Sequence, residues 1–107
     1  MLYIWYFNLK NGVSEEEFVN KSKELLDYLK GKVEGLGSGK FYRHHFFGAN
    51  LRTYQMHMEV KDFGTWDRFL AFIEKDAKGA RLFQEWRKKF VDMKTHFDEF
   101  VREIPPL

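Results

Sequence analysis

His44, His45 and His57, three of the four histidines of this sequence, have chemistry suited to neutral pH, because imidazole titrates roughly between pH 5 and 8. His57 lies close to Glu59, and a histidine pair beside a carboxylate can take up and return protons. Neighbouring residues of a strand point to opposite faces, so only one of His44 and His45 can share a face with His57. The turn between them decides which. A two-residue turn at Ala49-Asn50 pairs Tyr42 with His57 and His44 with Gln55, placing Tyr42, His44, Gln55, His57 and Glu59 together. A turn of three residues, Gly48 to Asn50, brings Phe41, Arg43 and His45 to that face instead, since a slip of one residue turns a strand over. In either register the row has two readings. One is a general base with groups that orient a substrate; the other is a polar network that fixes the register of an interface. Two histidines and a carboxylate also suit zinc or iron in kind, but no ligand spacing supports a metal site, and none is expected.

The elements that carry these residues follow from periodicity. Leu2–Leu9 is a strand with large side chains on both sides: Tyr3, Trp5, Phe7 and Leu9 on one, Leu2, Ile4, Tyr6 and Asn8 on the other. After Asn11-Gly12, Ser14 and Glu17 read as a capping box that opens a helix running to about Lys32. Gly31, Gly35, Gly37 and Gly39 then predict a flexible connection. Phe41–Phe47 and Arg52–Val60 predict two further strands. The second has Tyr54, Met56, Met58 and Val60 facing a core, and the Met pair suits that core better than a ligand pocket. A helix opens near Asp62 or Thr65, breaks over Asp76–Gly79 and resumes through Leu82, Phe83, Trp86 and Phe90. Thr95–Ile104 predicts a last strand, stopped by Pro105-Pro106.

This order, β-α-β-β-α-α-β, predicts an α+β, ferredoxin-like subunit with an antiparallel sheet and helices on one face. A single domain over residues 1–107 is expected. With helices on one side only, the second apolar face of the first strand needs a cover, and a second copy of the chain is the simplest one. Other classes are disfavoured. Without cysteine there is no disulfide, thiolate site or cysteine nucleophile. Eighteen basic and 16 acidic residues leave a formal charge of only +2, too little to draw a nucleic acid. An RNA-recognition module would need a glycine and paired aromatics in its third strand, and Leu51–Val60 has neither. No apolar run approaches the ~20 residues of a membrane helix and no leader precedes the first strand, so a cytoplasmic protein without membrane contact is expected.

Asp62-Phe63-Gly64-Thr65-Trp66 through Arg81-Leu82-Phe83-Gln84-Glu85-Trp86, within that element order, resembles the dimeric α+β barrel superfamily. Its members include antibiotic-biosynthesis-monooxygenase-like, NIPSNAP-like and EthD-like proteins. The resemblance implies a homodimer whose two sheets join into a barrel, with ligands between the sheet and helices of each subunit. It also implies a choice among cofactor-independent oxidation, isomerisation and a non-catalytic binding or assembly role. In the haem-degrading branch an Asn on the first strand and a Trp after the third match Asn8 and Trp66, with Phe69 as an alternative. No histidine follows at the proximal position, so haem is not expected, and no other cofactor is implied. The ligand expected is small, flat and largely apolar, with Asn8, Tyr42, Trp66, Phe69 and Trp86 as candidate contacts. His44, His45 and His57 are the candidate bases.

Overall fold

The computed structural model describes residues 1–44 and 53–105. His45, Phe46 and Phe47 at the end of the expected second strand, the turn Gly48-Ala49-Asn50 and Arg52 lie outside them. The elements are β1 (Leu2–Leu9), α1 (Glu15–Lys30), β2 (Leu36–Arg43), β3 (Tyr54–Val60), α2 (Phe63–Lys75), α3 (Ala77–Phe90) and β4 (Val91–Val101). The four strands form one sheet in the order β2-β3-β1-β4, with every pairing antiparallel. β1 is therefore central, and its two rows of side chains fall on different surroundings. Tyr3, Trp5 and Phe7 join Met56, Met58 and Val60 of β3 in a core closed by the helices. Leu2, Ile4 and Tyr6 line the other face.

Local chemistry sets the helix boundaries. The Ser14 hydroxyl accepts the Glu17 amide at 3.2 Å, with Glu15, Glu16 and Glu17 at the positive end of the α1 dipole. Only half of the expected capping box forms, because the Glu17 carboxylate pairs with Lys89 of α3. At α2 the box is complete: Asp62 accepts from Thr65, and the Thr65 side chain reaches back to the Asp62 amide. Asp76 both ends α2 and opens α3, accepting the Gly79 amide at 2.8 Å and the Tyr28 hydroxyl at 2.6 Å. The break between these helices is thus one residue, and Gly79 sits inside α3 rather than in the predicted interruption. A Cβ there would come within 2.8 Å of Phe72, so the glycine permits the close helix contact.

Two strands begin earlier than their patterns suggest. β2 starts at Leu36, within the glycine run that predicts a flexible connection. A Cβ at Gly39 would overlap the Leu26 side chain of α1, so the helix lies directly on the strand at that point. β4 starts at Val91, which is also the residue that caps α3, so no loop separates them. It stops at Val101, and Ile104 is 84% exposed beyond it.

Phe18 ties the layers together. It is fully buried, and its ring meets Phe7 of β1, Phe41 of β2, Tyr54 of β3, and Trp86 and Phe90 of α3 at centroid distances of 5.5 to 6.2 Å. Phe18→Ala is expected to lower unfolding free energy by about 3–5 kcal/mol, and Phe18→Leu by clearly less. Urea titration of both variants checks this; a loss of less than about 1 kcal/mol in the alanine variant, no more than an average substitution costs, would show that the aromatic cluster can close around the gap.

Candidate functional site

β2 and β3 pair Tyr42 with Gln55 and Lys40 with His57, and the His44 amide donates to the Thr53 carbonyl at 2.8 Å. The face is the one the two-residue turn predicts, but the pairing is displaced along the strand from Tyr42–His57 and His44–Gln55. A displacement by an even number of residues preserves the face. Tyr42, His44, Gln55 and His57 therefore stand together on the side away from the helices. The Gln55 side chain bridges the two rings, 2.7 Å from His44 Nε2 and 2.7 Å from His57 Nε2. A carboxamide offers one donor and one acceptor, so in either orientation one imidazole must donate and the other accept. A second proton on the accepting ring would set N–H against N–H.

His57 lies under the Tyr42 ring, with centroids 4.6 Å apart. Burial, followed by the nearby Lys40 ammonium, pushes its pKa below the usual imidazole value. Across β1 the same face continues through Ile4, only 6% exposed, to Tyr6, which stacks on Phe97 at 4.5 Å and donates to Glu99 at 3.2 Å. Glu59 is exposed at the Leu2 end of the row.

Asn8 has a structural occupation. Its Oδ1 accepts the Thr53 amide at 2.8 Å and the Thr53 hydroxyl at 3.2 Å, while its own amide donates to Thr95 Oγ1 at 2.9 Å. It thereby pins the start of β3 to β1 beside a bulge, where β4 passes from the Tyr6–Phe97 pair to the Asn8–Asp92 pair.

Trp66, Phe69 and Trp86 are on the opposite side of the sheet. With Tyr3, Trp5, Leu29, Met56 and Met58 they wall a cavity of about 10 Å³, room for about one water molecule. The sheet separates these three from the histidine row, so the candidate bases and the candidate aromatic contacts do not form one site. The ionisable group at the cavity wall is Tyr3, 1% exposed. Its hydroxyl donates to Asp98 at 2.6 Å and accepts from the Trp5 indole, and burial together with Asp98 raises its pKa strongly. His96 stands edge-on to Trp5 at 5.0 Å. Tyr3 and Asp98 carry no signal in sequence: Tyr3 reads as one more aromatic of an apolar row, and its partner is at the far end of the chain. His96 lies on a bulge that no periodicity marks. Among the described residues no three His, Cys, Asp or Glu side chains gather as a metal site, and no helix is long and apolar enough to cross a membrane.

The geometry can be set beside that of solved structures. No family model matches the chain, and no curated protein matches it. A dabb family protein with a ferredoxin-like fold from Mesorhizobium loti superposes with a TM-score of 0.67 at 15% identity, covering 95% of each chain. The chain has a ferredoxin-like fold. SnoaB from Streptomyces nogalater, a cofactor-independent oxygenase solved in a mutant form, gives a TM-score of 0.67 at 13% identity over 99% of this chain and 96% of its own. A dimeric ferredoxin-like protein of unknown function from Jannaschia sp. gives 0.65 at 12% identity over 94% of this chain and 97% of its own.

Protonation of His57 has a defined sign. The folded state holds His57 neutral to a lower pH than the unfolded chain does, so it binds fewer protons just below the ordinary imidazole pKa, roughly 6.5. Stability is expected to fall as pH drops from there, and His57→Gln should reduce the slope. Urea midpoints of both proteins on either side of that pKa check this; identical slopes would remove His57 from the account.

Proposed function

We propose that the chain works as a homodimer joined through the face bearing His57, and that each subunit binds a small, flat, largely apolar molecule between its sheet and helices. The observation that carries the assembly is the composition of that face. Leu2, Ile4 and Tyr6 lie beside Phe97 and Val101, which are 36% and 38% exposed, next to the bridged histidines. An apolar sheet face of this kind with a polar row along one side suits a partner carrying the same surface, as in an isologous dimer. The dimeric Jannaschia protein of the same fold supports this. The histidine row then sets how the two sheets register, and His44 and His57 serve as bases only for a molecule lodged between the sheets.

The chemistry favoured on the helix side is proton transfer without a cofactor, leading to isomerisation or to oxidation by dioxygen, in line with the activity named for SnoaB. Tyr3 relays the proton at the cavity wall: its oxygen takes the proton from the substrate C–H as its own passes to the Asp98 carboxylate, and the reverse transfer returns a proton to the substrate. Trp66, Phe69 and Trp86 supply flat apolar contact. Asn8 is occupied with Thr53 and positions strands. A non-catalytic assembly module is the second reading, and the closed core of about 10 Å³ favours it, since a ligand must displace side chains to enter.

Light scattering across a dilution series is expected to give twice the subunit mass at low micromolar concentration. Phe97→Glu should give the monomer with unchanged far-ultraviolet circular dichroism. A monomeric parent protein would overturn the assembly. For the chemistry, flat aromatic ketones and phenols with an acidic C–H are incubated in heavy water and followed by mass spectrometry. Deuterium uptake above the buffer rate is expected, lost in Tyr3→Phe and kept in His57→Ala. Loss in His57→Ala alone would move the reaction to the other face of the sheet, and no uptake with any compound would leave the assembly role.

A further inference from the structure

A groove of about 690 Å³ runs between α1 and α3, on the outside of the helix layer. Its volume falls in the range of small-molecule sites. Leu25 of α1 and Leu82, Trp86 and Phe90 of α3 form the floor. The rim is cationic, and its charges are not equally engaged. Lys21 pairs with Glu24 at 3.3 Å, and Lys89 pairs with Glu17. Arg81 and Lys88 have no carboxylate within ion-pair distance among the described residues, and the Glu85 carboxylate between them offsets only one of these two charges. Both are exposed, on the groove side of one helix, about two turns apart.

Trp86 and Leu25 belong to two spaces at once. They are floor to this groove and wall to the core cavity behind it. The Trp86 indole N–H donates to Ser22 Oγ at 2.7 Å, and that hydroxyl, 1% exposed, donates in turn to the Phe18 carbonyl at 2.6 Å. The indole is a panel between an open groove and a closed cavity, held by that hydrogen bond and by the rings of Trp5, Phe7, Phe18 and Phe83 around it.

We propose that this groove admits the ligand and that the ligand is an amphipathic carboxylate. Its flat apolar body lies over Leu82 and Trp86 and passes into the core when the indole leaves Ser22. Its carboxylate stays at the rim, on the Arg81 guanidinium and the Lys88 ammonium. A guanidinium takes a carboxylate through two parallel N–H···O bonds, which a neutral group of the same shape cannot match. The assignment rests on the reading of the core cavity given above and adds to it the charge of the molecule and its way in.

The test is calorimetric titration at low ionic strength with naphthoate and with naphthamide, which has nearly the same shape and no charge. Naphthoate is expected to bind about tenfold more tightly, the order that charge-assisted hydrogen bonds contribute. Arg81→Gln combined with Lys88→Gln should erase that preference and leave naphthamide binding unchanged; both positions are exposed on α3, so the fold is kept. Ser22→Ala should speed association of both probes without altering the preference. Equal binding of the two probes, unchanged in the double variant, overturns the groove assignment and leaves the cavity reading standing. Failure of both to bind the parent protein overturns the cavity reading and this assignment with it.

Discussion

The structure depends on β1 being apolar on both faces and central in the sheet. A central strand cannot shed either row of side chains into a loop, because its backbone is bonded on both edges. Tyr3, Trp5 and Phe7 give the helices a surface to close on, and Phe18 links that surface to β2, β3 and α3. Ile4 and Tyr6 then have no choice of side, and the neighbouring strands bring Phe97, Val101, Gln55 and His57 alongside them. One face is finished within the subunit. The other is organised but left open, and its polar part is already internally bonded through Gln55.

The same strand makes the sheet a wall. Polar chemistry exists on both sides of it, but of different kinds. On the open side, two imidazoles share one amide, so the donor and acceptor roles of the two rings are set together. On the helix side, a phenol is held by one carboxylate at the rim of an otherwise apolar space. Any reaction coordinate belongs to one side or the other. A flat molecule among Trp66, Phe69 and Trp86 meets Tyr3 and cannot meet His57.

The parts legible in sequence are those where short-range chemistry and long-range packing agree. The strict alternation of β3, the Ser14 cap of α1 and the two rows of β1 each state their role locally. The start of β2 is hidden because glycine normally argues against a strand; here Gly39 is present because Leu26 leaves no room for a side chain. Whether His44 or His45 joins His57 is a parity set by the turn length, and two turn lengths fit the sequence; the pairing distance along the strand is hidden as well, since a displacement by two residues gives the same alternation. His45 falls outside the described residues. The Tyr3–Asp98 bond joins residues near opposite ends of the chain, and only the β1–β4 register brings them together. The bulge that displaces His96 depends on Asn8, Thr53 and Thr95 acting together, a combination that no window of sequence contains.

Both outer strands of the sheet are irregular. β2 shifts register between Leu36 and Gly39, and β4 shifts where it passes Tyr6 and Asn8. A straight outer strand presents a comb of free amides and carbonyls on which another chain can add itself, and the sum of such additions is a fibril. Here the teeth of that comb are out of step on each side, with Lys40 and Arg43 along one margin and Asp92 and Lys94 along the other. The molecule can therefore carry an open, partly apolar sheet surface while denying strangers the margin from which a sheet is usually extended.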